Sequence, residues 1–161
     1  MVEISKFIGL HEVRDNAALR EWLASDGATL GDPAKLPWCG DAAITALVKT
    51  LPDETLPDDL ERNQYWARNF AEFGIKCGHV YGAVIVFRRG KGGHVGFVIG
   101  YDPITRRFLV RGGNQGDMIK DSWMAESRLL ALRWPMSWLW TNQRPLPHYD
   151  ASGTVLSWNE A

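Results

Sequence analysis

The spacing of the apolar residues changes once along this chain, near residue 74, and that change limits what the chain can fold into. Before this point the apolar residues recur at helical spacing, as between Ala42 and Val48. Beyond it, β-branched and aromatic runs such as 83–87 and 95–101 alternate with brief polar turns. Turns as short as these connect antiparallel strands. The sequence therefore predicts an α+β fold in which N-terminal helices pack on an antiparallel β-sheet.

The same pattern gives the bounds of the individual elements. Helices are predicted over 17–23, 39–50 and 60–73, and strands over 83–87, 95–101, 107–111 and 128–134. The last helix would place Trp66, Phe70 and Phe73 on one face. We expect a single domain over residues 1–161, with its core at about 5–135 and an extended tail over 136–161.

Composition and charge argue against several classes of function. Apolar residues make up 45% of the chain and charged residues 23%, as in ordinary globular proteins. The formal net charge is −1 and there is no basic block, which argues against nucleic acid as a partner. No run approaches the roughly 20 apolar residues that insert into a membrane. Because the chain has two cysteines and its N-terminus lacks a signal-peptide pattern, we expect synthesis in a reducing cytoplasm without a signal peptide.

Two residues, Cys39 and His94, have the placement expected of a nucleophile and its base. Cys39 follows Pro37 and begins a predicted helix, where unpaired N–H groups and the helix dipole favour a thiolate. His94 opens a predicted strand directly after two glycines. A cysteine at a helix N-terminus and a histidine on a downstream strand are typical of thiol hydrolases. We expect the helix to lie across the sheet with Cys39 facing His94.

The segment that follows the third predicted strand offers a residue to orient the imidazole. Asn114 is the first choice, because an amide oxygen accepts a hydrogen bond from one ring nitrogen while the other faces sulfur. Asp117 and Asp102 are the carboxylate alternatives. The backbone N–H of Cys39 is the expected oxyanion donor, and Gln115 is a candidate side-chain donor.

Other roles for these residues are compatible with the sequence. A buried cysteine often serves only as a small core side chain. A zinc site could be built from Cys39, Cys77, His79 and His94, but the Cys-x-His spacing is unlike the usual pairing of structural zinc ligands. Cys77 and His79 are therefore assigned structural roles, and we expect neither a metal nor another cofactor. The eight tryptophans are assigned mainly to the core rather than to sugar stacking.

Several segments, in this order, resemble small phage and prophage cell-wall hydrolases, a family similar to the CHAP and NlpC/P60 cysteine amidases and peptidases. These segments are Pro37-Trp38-Cys39, Tyr65-Trp66-Ala67-Arg68, Phe73-Gly74, Val84-Ile85-Val86-Phe87, Gly93-His94-Val95-Gly96-Phe97-Val98, Gly112-Gly113-Asn114-Gln115-Gly116-Asp117 and Arg133-Trp134-Pro135. The resemblance implies a papain-like fold, cleavage of an amide bond in peptidoglycan, Cys39 as nucleophile and His94 as base. CHAP enzymes usually present an acidic residue before the asparagine, whereas Gly113 precedes Asn114 here.

The resemblance also implies a setting. The chain would be a monomeric endopeptidase or N-acetylmuramoyl-L-alanine amidase, with a slight preference for the endopeptidase. It would reach the periplasmic cell wall as an endolysin released by a holin or as an effector amidase delivered by a secretion machine. A different class remains open, namely a non-catalytic module that binds the wall or a partner with the same fold. The tail after Pro135 contains no recognisable wall-binding repeat.

Overall fold

The described α-helices precede the sheet along the chain. The computed structural model describes residues 2–139, 141, 143–150 and 155–157. The described helices are α1 (Val2–Ser5), α2 (Asn16–Leu23), α3 (Cys39–Thr50) and α4 (Asp58–Arg62), followed by a 3₁₀ helix over Ala67–Glu72. None of them is long and apolar enough to cross a membrane.

The strands form one largely antiparallel sheet. They are β1 (Ile75–Lys76), β2 (Val84–Arg89), β3 (Gly92–Asp102), β4 (Arg107–Gly112), β5 (Lys120–Ala125), β6 (Leu129–Trp134), β7 (His148–Tyr149) and β8 (Val155–Ser157). The main strand order is β1-β6-β2-β3-β4-β5, and every neighbouring pair in it is antiparallel. β7 adds a parallel pairing to β3 and an antiparallel one to β8. The predicted α+β class with an antiparallel sheet is confirmed.

The helix that begins at Cys39 forms within its predicted bounds. Its apolar face packs against β3 in a buried cluster that includes Ile44, Leu47, Val95 and Phe97. Trp38 is the N-cap residue, and its indole Nε1 donates a 2.8 Å hydrogen bond to the Glu12 carboxylate. Burial of one helical face, together with an anchored first turn, holds Cys39 in a fixed position over the sheet.

The prediction of a single helix over 60–73 is wrong. α4 ends at Arg62, and a separate 3₁₀ helix begins at Ala67. Between them the side-chain oxygen of Asn63 accepts a 3.2 Å hydrogen bond from the backbone N–H of Tyr65. Asparagine competes in this way with helical backbone bonding, which accounts for the break. Phe70 and Phe73 are buried as predicted, but Trp66 is 44% exposed.

The strand predictions were right in order but incomplete. β3 is longer than predicted at both ends, and β6 begins at Leu129 rather than at residue 128. β5 was not predicted, because its first three residues are polar and it contains no β-branched residue. It pairs with β4 over six positions. The tail contributes β7, which joins the sheet beside Tyr101.

The ends of β3 and β4 separate where α3 begins. The two strands pair only from Phe97 and Arg111 onward, and β4 ends at Gly112. At Gly113 a Cβ atom would lie 2.5 Å from the Trp38 ring and 2.6 Å from the Ala42 Cβ. The first turn of α3 therefore packs directly on the backbone of the segment that leaves β4.

Substituting Gly113 with alanine should destabilise the protein, because the added methyl group has no room beside Trp38 and Ala42. Overpacking of this kind costs about 1–3 kcal/mol. Gly78→Ala is the matched control, since nothing lies within 4 Å of its added Cβ. Urea unfolding measures both variants. Equal free energies of unfolding for the two would show that the close packing at Gly113 has been misjudged.

Candidate active site

Cys39 is the first residue of α3 and is 6% exposed. The backbone N–H groups of Val95, Gly40 and Cys39 itself stabilise the thiolate, and so does the charge of Arg89. Burial outweighs them, so the pKa of the Cys39 thiol is raised. The thiolate expected from the helix N-terminus alone is therefore not the resting form. Because Val95 follows His94 directly, the sulfur lies against the β3 backbone next to that histidine.

His94 lies near the start of β3 and is 2% exposed. Its Nε2 atom is 3.1 Å from Oε1 of Gln115. Its Nδ1 atom is buried and has no hydrogen-bond partner among the described residues. Burial lowers the pKa of His94 to about 4, so the imidazole is neutral near neutral pH. A neutral imidazole with one unpartnered nitrogen is equipped to accept a proton.

Gln115 fixes which nitrogen of His94 is free. Its amide Nε2 donates to the backbone carbonyl of Val110 at 3.0 Å and also to that of Lys120. Since the NH₂ group is occupied on both hydrogens, the amide oxygen must face the imidazole. An amide oxygen only accepts, so His94 carries its proton on Nε2 and its lone pair on Nδ1.

The hydrogen bond to the imidazole that we predicted for Asn114 is made instead by Gln115. Asn114 has a left-handed backbone with φ of 56° and lines the pocket beside His94. The turn at Asn114 leads directly into Gln115, which reaches the ring. Gln115 is also not available as an oxyanion donor, because both amide hydrogens are already bonded to carbonyls.

The two carboxylate alternatives lie elsewhere. The Asp102 carboxylate accepts hydrogen bonds from the backbone N–H groups of Ile104 and Thr105, which closes the turn between β3 and β4. It lies eight residues from His94 along β3, roughly 26 Å at the usual strand rise. Asp117 has φ of 63°, and its carbonyl accepts from the Glu12 N–H. Both aspartates have structural roles in turns.

The prediction that Cys39 faces His94 is wrong for the side chains, which lie toward opposite faces of the sheet. By register His94 pairs with Phe87, and Val95 pairs with Val86. Successive side chains of a strand point to opposite faces, so the imidazole lies on the Phe87 face while α3 covers the Val95 face. The structure contains no hydrogen bond between the Cys39 thiol and the His94 ring. The sulfur contacts the backbone between the two faces, where β4 has already left β3.

Cys77 and His79 are placed apart from this arrangement. Burial raises the pKa of the partly buried Cys77 thiol to about 11. The His79 ring packs on the rings of Tyr101 and Phe108, with centroids 4.7 and 5.0 Å away. Among the residues that the structure describes, no three histidine, cysteine, aspartate or glutamate side chains are grouped closely enough to hold a metal ion.

No family model, curated protein or solved structure matches the chain. The chemistry available to Cys39, His94 and Gln115 is therefore inferred from their geometry and from the motifs in the sequence.

Asp41 is a buried acid in the first turn of α3, two residues after the thiol. One carboxylate oxygen accepts from the Leu30 N–H at 3.0 Å and the Thr29 hydroxyl at 3.1 Å. The other oxygen is buried without a partner in the described structure. Burial raises the pKa of Asp41 from 3.8 to about 6. The ionised form therefore lowers the stability of the fold near neutral pH.

Substituting Asp41 with asparagine should change how the free energy of unfolding depends on pH. Between its ordinary pKa of 3.8 and about 6, the folded protein holds a proton that the unfolded chain has released. The free energy of unfolding of wild type therefore loses about 3 kcal/mol from this group as pH rises through that window. Asparagine does not titrate, so the variant should gain that amount relative to wild type between about pH 4 and pH 7.

His94 has the opposite effect on the free energy of unfolding. Because burial lowers its pKa from 6.5 to about 4, its contribution to that free energy is lost as pH falls through this window. In the pH profile of wild-type unfolding the contributions of Asp41 and His94 partly cancel, so neither can be read from that profile alone. The difference between variant and wild type, measured by urea unfolding at several pH values, isolates Asp41. Asp53→Asn, at an exposed position, is the control. A difference for Asp41→Asn that stays constant with pH would contradict the assignment.

Proposed function

We propose that the protein is a cysteine hydrolase that cleaves an amide bond in the peptide part of peptidoglycan. Cys39 is the nucleophile, His94 the base and Gln115 the residue that positions the base. The proposal is carried by the hydrogen bonds of the Gln115 amide, which occupy Nε2 of His94 and leave Nδ1 without a partner among the described residues. His94 directly precedes Val95, whose backbone N–H stabilises the Cys39 thiolate. A neutral imidazole with one unpartnered nitrogen next to the thiol's segment of β3 is suited to proton transfer.

A papain-like fold is part of the proposal. It is supported by a helix that begins at the cysteine and packs on an antiparallel sheet carrying the histidine. The choice of peptidoglycan is supported by the resemblance of the segments around Cys39, His94 and Gln115 to phage and prophage wall hydrolases. The resemblance favours a hydrolase in either of two settings, an endolysin or a delivered effector.

The proposed reaction begins from a neutral pair, since burial raises the pKa of the Cys39 thiol and lowers that of His94. Nδ1 of His94 takes the thiol proton as sulfur attacks the amide carbonyl carbon. The backbone N–H of Cys39 donates to the developing oxyanion. Gln115 Oε1 accepts from Nε2–H throughout and stabilises the imidazolium.

His94 then donates its new proton from Nδ1 to the amine nitrogen as the carbon–nitrogen bond breaks. This step leaves a thioester on Cys39. A water molecule, losing a proton to Nδ1, attacks the thioester and releases the carboxylic acid with the free thiol. Hydrogen bonds between catalytic groups often shorten only when substrate binds. Because the thiol and the ring lie toward opposite faces of the sheet at rest, the proposed transfer requires the imidazole to approach the sulfur around the edge of β3 when substrate binds.

The test is digestion of purified sacculi. Wild type should release products detectable by mass spectrometry, and Cys39→Ala should release none, because no other group replaces the sulfur nucleophile. Cys77→Ser should keep most of the activity. Free stem peptides with bare glycan identify an amidase, whereas shortened or uncrosslinked peptides still attached to muramic acid identify an endopeptidase. Sacculi that bind wild type yet stay chemically intact would instead favour a non-catalytic binding module.

The role of Gln115 gives a second prediction. Gln115→Ala should lower kcat at least about tenfold with little change in KM, because the hydrogen bond stabilises the imidazolium formed during reaction. Asn114→Ala is the neighbouring control and should keep most of the activity, since Asn114 makes no hydrogen bond to the ring in the structure.

Nitrogen NMR of the His94 ring distinguishes this positioning role of Gln115 from a purely structural one. Wild type should show the proton on Nε2, and Gln115→Ala should show a mixture of the two tautomers. An inactive Asn114→Ala together with an unaltered Gln115→Ala would transfer the positioning role back to the asparagine.

A further inference from the structure

The pocket that Asn114 lines beside His94 is a cavity on the side of the imidazole that Gln115 occupies. Its volume is about 310 Å³, and its walls include His94, Gln115 and Ser122. Three basic side chains also line the cavity, namely Arg89, Lys120 and Arg128. They come from β2, from β5 and from a short 3₁₀ helix over Glu126–Arg128 that precedes β6, so the fold brings them together from three separate elements.

Among the described residues, no acidic side chain pairs with any of these three cations. None of them lies within 4.0 Å of a carboxylate among the described residues, and no carboxylate lines the cavity. Other basic residues of the chain are paired, such as Arg111 with Asp121 at 2.8 Å. Three like charges that face one cavity repel each other, and an anion inside the cavity would relieve that repulsion.

The position of Arg128 is fixed by the fold. Its Nε donates a 2.9 Å hydrogen bond to the backbone carbonyl of Arg88. This contact leaves the terminal nitrogens of the guanidinium for other partners. An arginine held in this way can bind a carboxylate through two parallel hydrogen bonds. The Ser122 hydroxyl in the wall adds a neutral donor.

We propose that this cavity is an anion-binding subsite that holds a carboxylate of the peptide substrate beside the catalytic histidine. The proposal rests on the proposed function, and it names the feature of the substrate that the protein recognises. Stem peptides that keep a free carboxylate near the scissile bond are the preferred substrates, and amidated ones are poor substrates.

The subsite also links binding to catalysis. The charges of Arg89 and Arg128 both lower the pKa of His94. A carboxylate bound between them offsets these charges and raises that pKa, which makes the imidazole a stronger base. A substrate that carries the carboxylate therefore prepares the base for its own cleavage.

Calorimetry with the Cys39→Ala variant of the full chain separates binding from turnover. The probes are a stem tripeptide with free carboxylates, the same tripeptide with its carboxylates amidated, and inorganic phosphate. The free acid should bind about tenfold or more tightly than the amide, as expected for charge-assisted hydrogen bonds. Phosphate should compete with the free acid.

Charge variants made in the same background locate the binding. Arg128→Gln and Lys120→Gln should weaken binding of the free acid severalfold and leave binding of the amide unchanged. Arg20→Gln, which removes an exposed positive charge on α2, is the matched control and should change neither.

Equal affinity for acid and amide would overturn the proposed subsite, and so would binding of phosphate without binding of the peptide. Failure of the proposed function is a separate result. In that case the acid-dependent binding would be present in Cys39→Ala, but wild type would not hydrolyse sacculi.

Discussion

The contact between the first turn of α3 and the segment that leaves β4 is the constraint on which the site depends. Gly113 presents no side chain where Trp38 and Ala42 pack, and Gly40 presents none where the backbone carbonyl of Tyr65 lies. The first turn is therefore enclosed on two sides by backbone. Because interiors are packed to crystal-like density, such contacts leave little freedom for the residue between them. Cys39 is that residue.

Burial has two consequences for the chemistry of the site. It removes charge from Cys39 and His94 in the resting state, since the thiol pKa is raised and the imidazole pKa is lowered. It also makes each remaining hydrogen bond more decisive, because a buried polar atom has no water to replace a lost partner. Gln115 satisfies its own amide nitrogen within the loop and uses its oxygen for the ring. Both members of the proposed pair are thus neutral at rest, and charge would develop on them only during the proposed reaction.

The sequence predicted the elements that local chemistry determines. The bounds of α3 follow from apolar spacing after Pro37, and the hairpin of β2 and β3 follows from two β-branched runs around a short turn. The predicted helix over 60–73 failed because a hydrogen bond from Tyr65 to Asn63 interrupts an otherwise helical pattern. β5 was missed because a half-exposed strand owes its place to its partner rather than to its own composition.

The sequence could not predict, for a related reason, whether Asn114 or Gln115 accepts the hydrogen bond from His94. Both residues carry an amide oxygen, and both follow the glycines at the end of β4. Which of them meets His94 depends on the left-handed backbone at Asn114 and on carbonyls supplied by Val110 and Lys120. These features belong to the folded loop. The basic cavity was missed in the same way, because its three cations come from three separate elements that only the folded chain brings together.

The central claim is that Gln115 holds His94 so that its free nitrogen serves the Cys39 thiol. The most direct measurement is the rate at which iodoacetamide alkylates Cys39 near neutral pH, in a Cys77→Ser background so that only one thiol reacts. The account predicts that His94→Ala and Gln115→Ala both slow alkylation, whereas Asn114→Ala leaves it close to that of the parent protein. Equal rates in all four proteins would show that the imidazole does not act on the thiol, and the claim would be wrong.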